Sequence, residues 1–178
     1  MPPPSEIPEI DLSKLDNYSK FEFQFPFYRT RVDIFEGRVK RFVFGKKSVS
    51  FAQLRFAFKD DKKWADLLDD NSLLVEILKS EFFEDEDTPG ELSLQSLLLW
   101  GVLLCAGDFH LKARVFYDIL QDSLQDSISA SDKDFPESFS KLISLATKLV
   151  YINESEYGET PIDAKLDNED AVTDDLLD

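Results

Sequence analysis

Acidic and hydroxyl side chains are concentrated in the segment from Asp85 to Ser96, and several stand at spacings that could bind a cation. In a twelve-residue calcium loop, oxygen ligands come from positions 1, 3, 5, 7 and 9, and a bidentate glutamate closes the site at position 12. Asp85, Asp87 and Ser93 occupy positions 1, 3 and 9 of such a loop. The backbone carbonyl of Glu91 can serve at position 7. The segment therefore has the spacing of a calcium loop.

Two of the ligand positions in this loop lack the expected oxygen. Pro89 at position 5 has no side-chain oxygen, and Ser96 at position 12 replaces the bidentate carboxylate. Gly90 stands at position 6, where the turn needs a positive φ, and Leu92 supplies the apolar residue at position 8. The sequence thus retains the residues that shape the loop but lacks two of the ligands that would bind calcium. It predicts a weak calcium site at most, formed by Asp85, Asp87, Glu91, Ser93 and Ser96.

Helices are the elements that must position this loop. Apolar residues make up 43% of the 178 residues, while glycine numbers only 6, so we predict an all-α fold with a sizeable core. Apolar residues from Leu73 to Phe83 follow helical spacing into the loop. Those from Leu94 to Leu104 cover nearly all faces, which predicts a buried helix. Gly101 then marks a place where another helix approaches closely.

The segment from Tyr28 to Phe42 admits two interpretations. Apolar residues at spacings of three and four favour a helix, whereas the same valines and phenylalanines also suit a β-meander with turns at Gly37 and Gly45. We favour the helix. After the second turn, Ser50 is placed to cap a helix through Leu54.

The two ends of the chain differ from its centre in composition. Residues 1–27 form a predicted extended arm rich in proline and phenylalanine, and residues 153–178 a predicted acidic, disordered tail. The alternation from Phe21 to Phe27 fits an edge strand, or an arm that tucks its phenylalanines into a groove of its own domain. The helical domain is predicted to span residues 28–152.

A second twelve-residue window, from Gln121 to Asp132, has the same layout as the first. With the preceding helix and Ile128 at its eighth position, it resembles an EF-hand of the calcineurin B and neuronal calcium sensor families. Leu92 and Ile128 are 36 residues apart, as consecutive hands would be, and Val49 lies 43 residues before Leu92. The resemblance covers residues 28–151. It implies about three helix-loop-helix units with degenerate loops, joined by short strands that pair through these position-8 residues.

The second window departs further from a calcium loop than the first. Glutamine, serine and glutamine take its positions 1, 3 and 5, Asp126 replaces the turn glycine, and Asp132 is shorter than the closing glutamate. A further candidate window, residues 153–160, is not followed by a segment with a periodic apolar face. We therefore expect weak or no calcium binding.

The charge balance bears on the partner. With 20 basic and 36 acidic residues the net charge is −16, which disfavours nucleic acid and anionic membrane surfaces. It favours a basic, amphipathic helix of a partner protein, bound in an apolar groove. This interpretation predicts an EF-hand-like adaptor, with a calcium sensor acting through residues 85–96 or a structural subunit of a larger assembly as alternatives. The predicted groove residues are Phe56, Leu78, Phe82, Leu98, Trp100, Leu104 and Phe116.

Catalytic motifs are not evident in the sequence. His110 has no second metal-ligating residue at the required spacing, and Cys105 lies in an apolar stripe where a cysteine is usually a small buried hydrophobe. We therefore do not expect an enzyme. One cysteine, no signal sequence and no apolar run long enough to span a bilayer lead us to expect a cytoplasmic protein.

Overall fold

The computed structural model describes the backbone of residues 17–43, 45–123 and 134–157. These residues are mostly helical and include one small two-stranded sheet, which confirms the predicted all-α character. None of the helices in these ranges is both long and apolar enough to cross a membrane. The helices are α1 (Asn17–Glu22), α2 (Val32–Lys40), α3 (Phe51–Phe58), α4 (Leu73–Leu78), α5 (Leu94–Leu104), α6 (Phe109–Ser123) and α7 (Asp134–Tyr157), with 3-10 segments at Pro26–Arg29, Lys62–Leu68 and Glu81–Phe83, and the strands are β1 (Ser48–Val49) and β2 (Leu92–Ser93).

Serine side chains begin three of these helices. Ser50 accepts a hydrogen bond from the Gln53 backbone N–H, and the Gln53 side chain accepts one from the Ser50 N–H in return. Ser72 caps α4 and Ser93 caps α5 in the same way, each accepting from the backbone N–H three residues later. Each cap satisfies an N–H that the first turn of a helix would leave without a partner.

The segment after Tyr28 is helical, as predicted, and the alternative β-meander is wrong. Val32, Phe35 and Val39 lie on one face of α2 and are buried. Spacings of three and four bring these side chains together on a helix, whereas a strand would send them to opposite faces. The predicted helical face therefore forms part of the core.

The extended conformation predicted for the N-terminal arm is wrong where the structure describes it. The chain forms α1 and then a 3-10 segment that Pro26 begins, because its fixed φ suits a first helical position. Phe21, Phe25 and Phe27 are all buried, so the arm does tuck its phenylalanines into its own domain. Backbone bonds between Thr30 and Ala106 and between Ala106 and Val32 fasten the segment beside the end of α5.

The core is built around two tryptophans. The ring of Trp64 stacks on Phe58 and Phe35, with centroids 4.1 and 5.6 Å away. Phe27 lies between the tryptophans, 4.9 Å from Trp64 and 4.7 Å from Trp100. The Trp64 indole N–H donates to the buried Thr30 hydroxyl at 3.0 Å, so this polar group is satisfied inside an apolar cluster.

Helix α5 runs through the centre of the molecule and is buried over most of its length, as its apolar sequence predicts. A Cβ at Gly101 would lie 2.5 Å from Cδ1 of Phe35. Gly101 therefore allows α2 to approach α5, which confirms the close approach predicted there.

Helices α6 and α7 pack against α5 and against each other. Val115 and Ile119 of α6 and Leu145 and Leu149 of α7 contribute to the core. Helix α7 continues to Tyr157, so the predicted boundary between domain and tail falls within a helix. Residues 158–178 lie outside the described part of the chain. So does most of the second loop window, including Asp126, Ile128 and Asp132.

Candidate functional site

The loop from Asp85 to Ser96 joins the 3-10 segment after α4 to helix α5. Within it, the Asp85 N–H donates to the Glu91 carbonyl at 2.9 Å, just before β2 begins. Gly90 has a φ of +82°, the left-handed conformation that the loop pattern predicts. Its N–H donates to the carboxylate of Glu84 at 2.9 Å. The loop is thus closed by the chain's own hydrogen bonds.

The predicted ligands are arranged poorly for calcium. Glu91 directs a carboxylate oxygen to the Ser48 hydroxyl, which donates to it at 2.5 Å from the neighbouring segment. Ser93 Oγ caps α5 by accepting from the Ser96 N–H. Ser96 itself is 0% exposed and its hydroxyl has no hydrogen-bond partner in the described part of the chain. The position that should close a calcium site is therefore a neutral hydroxyl enclosed in the core.

The remaining donors do not complete a calcium site. Asp85 and Asp87 retain their carboxylates, and Pro89 offers no side-chain oxygen. Calcium requires six to eight oxygen ligands, several of them anionic. Within the described ranges, no three side chains of the His, Cys, Asp and Glu types are grouped so that they could hold a metal ion. The donor set of the loop does not fit calcium.

The loop between α2 and α3 lies beside the loop from Asp85 to Ser96. Val49 of β1 pairs with Leu92 of β2 in antiparallel register, which is one of the pairings that the sequence predicts. At the start of this loop, the Phe42 carbonyl accepts a hydrogen bond from the side-chain amide of Gln53 in α3, at 3.1 Å. A neutral amide thus ties the start of the loop to the helix that follows it.

The seven predicted groove residues do not line one open groove. Leu78, Leu98 and Trp100 are buried in the core. Leu104 and Phe82 are partly buried and pack against it. Phe56 projects from α3 and is 54% exposed, and Phe116 is partly buried on α6. Two of the seven, Phe82 and Trp100, line one small crevice.

That crevice is covered by helix α7. Leu145 and Leu149 of α7 line it together with Phe82 and Trp100. Lys148 places its ammonium group 4.4 Å from the centre of the Phe82 ring. The indole N–H of Trp100 is buried without a hydrogen-bond partner among the described residues. The chain's own helix therefore occupies the position at which the sequence predicts a partner helix.

The exposed face of α7 was not among the predicted site residues. Phe139, Ile143 and Val150 are 48%, 41% and 40% exposed. The Phe135 and Phe139 rings lie parallel, and Phe116 of α6 approaches Phe135, each pair with centroids 6.3 Å apart. The sequence after Phe135 could have indicated this face, because the helix has more apolar residues than one buried face needs.

The one cysteine lies apart from these surfaces. Cys105 is buried at the end of α5, as predicted, and burial raises the pKa of its thiol, so the thiol stays protonated. Burial also lowers the pKa of Lys112, while the nearby Cys105 and Glu22 oppose that shift. The Lys112 ammonium group donates to the Leu103 carbonyl at 3.0 Å. Cys105 thus has none of the thiolate character that a nucleophile needs.

Comparison with known proteins adds no relative: no family model, no curated protein and no solved structure matches this chain.

Proposed function

We propose that this chain is an EF-hand-like adaptor that binds an amphipathic, basic helix of a partner protein, with weak or no binding of calcium. Its two paired loops support the EF-hand-like architecture. Each loop lies between two helices, and the loops join through the antiparallel pair of Val49 and Leu92. The observation that carries the binding proposal is the exposed apolar stripe on α7.

Helix α7 has two adjacent apolar faces. Its inner face packs on the core through Leu145 and Leu149. The outer face holds residues at successive spacings of four, four, three and four, which places them in one stripe along the helix. We call this set the α7 stripe: Phe135, Phe139, Ile143, Ala146 and Val150.

The α7 stripe borders helix α6, which makes the apolar surface wider. Phe116 approaches Phe135 across the two helices, and Tyr117 beside it is 45% exposed. A contiguous exposed apolar surface of this kind commonly marks an interaction site. An amphipathic partner helix would bury its own apolar residues against the stripe, at spacings of three and four.

The charge of the chain favours a basic partner. Pro136, Ser140, Thr147 and Tyr151 border the stripe on its outer side and are uncharged, so no lysine or arginine repels a basic helix along that edge. The net charge of −16 would attract such a helix over longer distances. Apolar contact would thus provide the binding energy and charge the steering.

A peptide titration tests the proposal. The probe is a fluorescein-labelled helix of about 18 residues, made of leucine and lysine with its leucines at spacings of three and four. We expect the full chain to bind it, and the Phe139→Ser/Ile143→Ser variant to lose at least about tenfold in affinity. Leu68→Ser is the control, because Leu68 is similarly exposed at 53% but lies outside α6 and α7. Equal affinity of all three proteins would contradict the proposal.

Calorimetric titration with calcium separates the adaptor from a sensor. Sensor loops bind calcium with dissociation constants of about 10⁻⁷ to 10⁻⁵ M. We expect no heat of binding in that range, because the loop lacks the closing carboxylate. Micromolar binding that Asp85→Ala abolishes would instead favour the sensor.

A further inference from the structure

The charges of this chain are strongly segregated. Residues 28–63 contain 11 of its 20 basic residues but only 4 of its 36 acidic ones, a net charge of +7. The remainder of the chain carries −23. A molecule with a net charge of −16 therefore has a basic region, which its overall charge conceals.

Two aromatic rings, the partly buried Phe42 and the exposed Phe56, lie within this basic region. Phe42 follows α2, and its ring meets that of Phe56 edge to face, with centroids 5.4 Å apart. Lys59 places its ammonium group 4.0 Å from the centre of the Phe56 ring. Phe56 remains 54% exposed, so the pair offers apolar area to a ligand beside a cation.

Arg41, Lys46 and Lys47 are exposed and lie within five residues of Phe42 in the sequence. The Lys46 N–H donates to the Val43 carbonyl, and the Gln53 side chain of α3 donates to the Phe42 carbonyl, so the turn is fixed against α3.

Elsewhere in the basic region Arg31, Arg38 and Arg55 form ion pairs. In the described part of the chain, no carboxylate pairs with the basic residues of the turn or with Lys59. The basic aromatic surface consists of Arg41, Phe42, Lys46, Lys47, Phe56 and Lys59.

We propose that the basic aromatic surface binds an acidic segment of a partner protein that carries a bulky apolar side chain. The cations would pair with carboxylates, and the apolar side chain would pack against Phe56 and Phe42. A nucleic acid is the less favoured polyanion, because its long phosphate backbone would meet the −23 carried by the rest of the molecule. A short acidic segment fits within the basic region alone. This site is separate from the α7 stripe and does not rest on the function proposed above.

Fluorescence anisotropy with the full chain tests this site. The probe is a labelled peptide of about 12 residues that alternates pairs of aspartate or glutamate with phenylalanine or leucine. We expect binding that weakens with added salt. We expect Lys46→Glu/Lys47→Glu and Phe56→Ser each to reduce the affinity by at least about tenfold. These residues are exposed, so thermal unfolding should be nearly unchanged in both variants.

The control makes the same charge change elsewhere. Lys20 and Lys62 are exposed and lie outside the basic aromatic surface, so Lys20→Glu/Lys62→Glu should bind the peptide like the unaltered chain. The proposal is overturned if this control loses as much affinity, or if the unaltered chain fails to bind at about 1 mM peptide. Tighter binding of a single-stranded thymidine oligonucleotide than of the peptide would also overturn it, in favour of a nucleic acid partner.

Discussion

Phe56 and Phe58 lie two residues apart in α3 but in opposite surroundings. Phe58 is buried and stacks on Trp64 at 4.1 Å. Phe56 is more than half exposed and contacts Phe42 and Lys59. Residues i and i+2 of a helix point about 200° apart, so one short helix contributes to both the core and a surface.

The difference shows that the described phenylalanines occupy two kinds of position. Rings around Trp64 and Trp100 fill the core. Rings on α3 and α7 remain accessible and suit binding. Substitutions in the first group should change the free energy of unfolding, and those in the second group should change binding alone.

The largest effect is expected at the centre of the buried cluster. Trp64→Ala should lower the free energy of unfolding by about 3–5 kcal/mol, because it leaves a large cavity among Phe27, Phe35 and Phe58. It also leaves the Thr30 hydroxyl without its donor. Urea unfolding followed by circular dichroism measures the loss, and Trp64→Phe, which keeps most of the ring volume, should lose less. A loss below about 1 kcal/mol would show that the cluster is not the core.

A smaller effect is expected where α2 meets α5. Gly101→Ala places a methyl group 2.5 Å from the Phe35 ring, which cannot move easily because it packs against both Phe58 and Trp64, with centroids 5.7 and 5.6 Å away. We expect destabilisation of about 1–3 kcal/mol in urea unfolding.

Gly37→Ala in α2 is the matched control for Gly101→Ala. A Cβ at Gly37 meets nothing within 4 Å, so the helix preference for alanine should stabilise the chain by about 0.5–1 kcal/mol. If both variants change stability in the same direction, the close packing of the two helices is not what determines the effect.

Much of the fold follows from local patterns in the sequence. Helical spacing predicts α2 through Val32, Phe35 and Val39, and the uniformly apolar sequence of α5 predicts its burial. The segment from Phe21 to Phe27 misleads, because phenylalanine at every second position also places Phe21 and Phe25 four residues apart, as in a helix. The packing of Phe25 against Trp100, which local sequence does not show, favours the observed conformation over a strand.

The candidate site is less predictable than the fold. The spacing from Asp85 to Ser96 predicts the turn at Gly90 and the pairing of Leu92, since both depend on local backbone geometry. The groove residues depend on which helix covers which, and sequence spacing does not show that α7 lies over Phe82 and Trp100. The same spacing cannot distinguish the inner from the outer face of α7, because both are apolar.

A charge at the edge of the buried cluster should have a modest effect that depends on pH. Burial by itself would raise the pKa of Asp61, but the hydrogen bond and charge of Arg38 and the Lys63 N–H outweigh it, so the pKa lies below its ordinary value. The Arg38 guanidinium also lies over the Phe58 ring, at 5.5 Å. Asp61→Asn should still accept the hydrogen bond from the Lys63 N–H at the start of the 3-10 segment Lys62–Leu68. It should lose the ion pair with Arg38, which lowers the free energy of unfolding by up to about 1 kcal/mol near neutral pH.

The sign of that dependence is fixed by the lowered pKa. A carboxylate whose folded-state pKa is lowered stabilises the fold above its unfolded-state value, about 3.9, and loses this contribution as the pH falls further. Urea unfolding should therefore show that the free energies of unfolding of Asp61→Asn and of the unaltered chain differ less near pH 3 than at pH 7. Asp60→Asn, at the exposed neighbouring residue, which forms no ion pair in the described part of the chain, should be about as stable as the unaltered chain at pH 7. A difference between Asp61→Asn and the unaltered chain that widens in acid would contradict the assignment.

The smallest effect on stability is expected on the basic aromatic surface. Phe56→Ser should change the free energy of unfolding by no more than about 0.5 kcal/mol, because the ring is already largely in water. Phe58→Ser, the same substitution two residues away, should cost several kcal/mol, since it opens a cavity beside Trp64. Urea unfolding of the two variants side by side measures the contrast. If Phe56→Ser were as damaging as Phe58→Ser, Phe56 would belong to the core, and its exposure would no longer support a binding site.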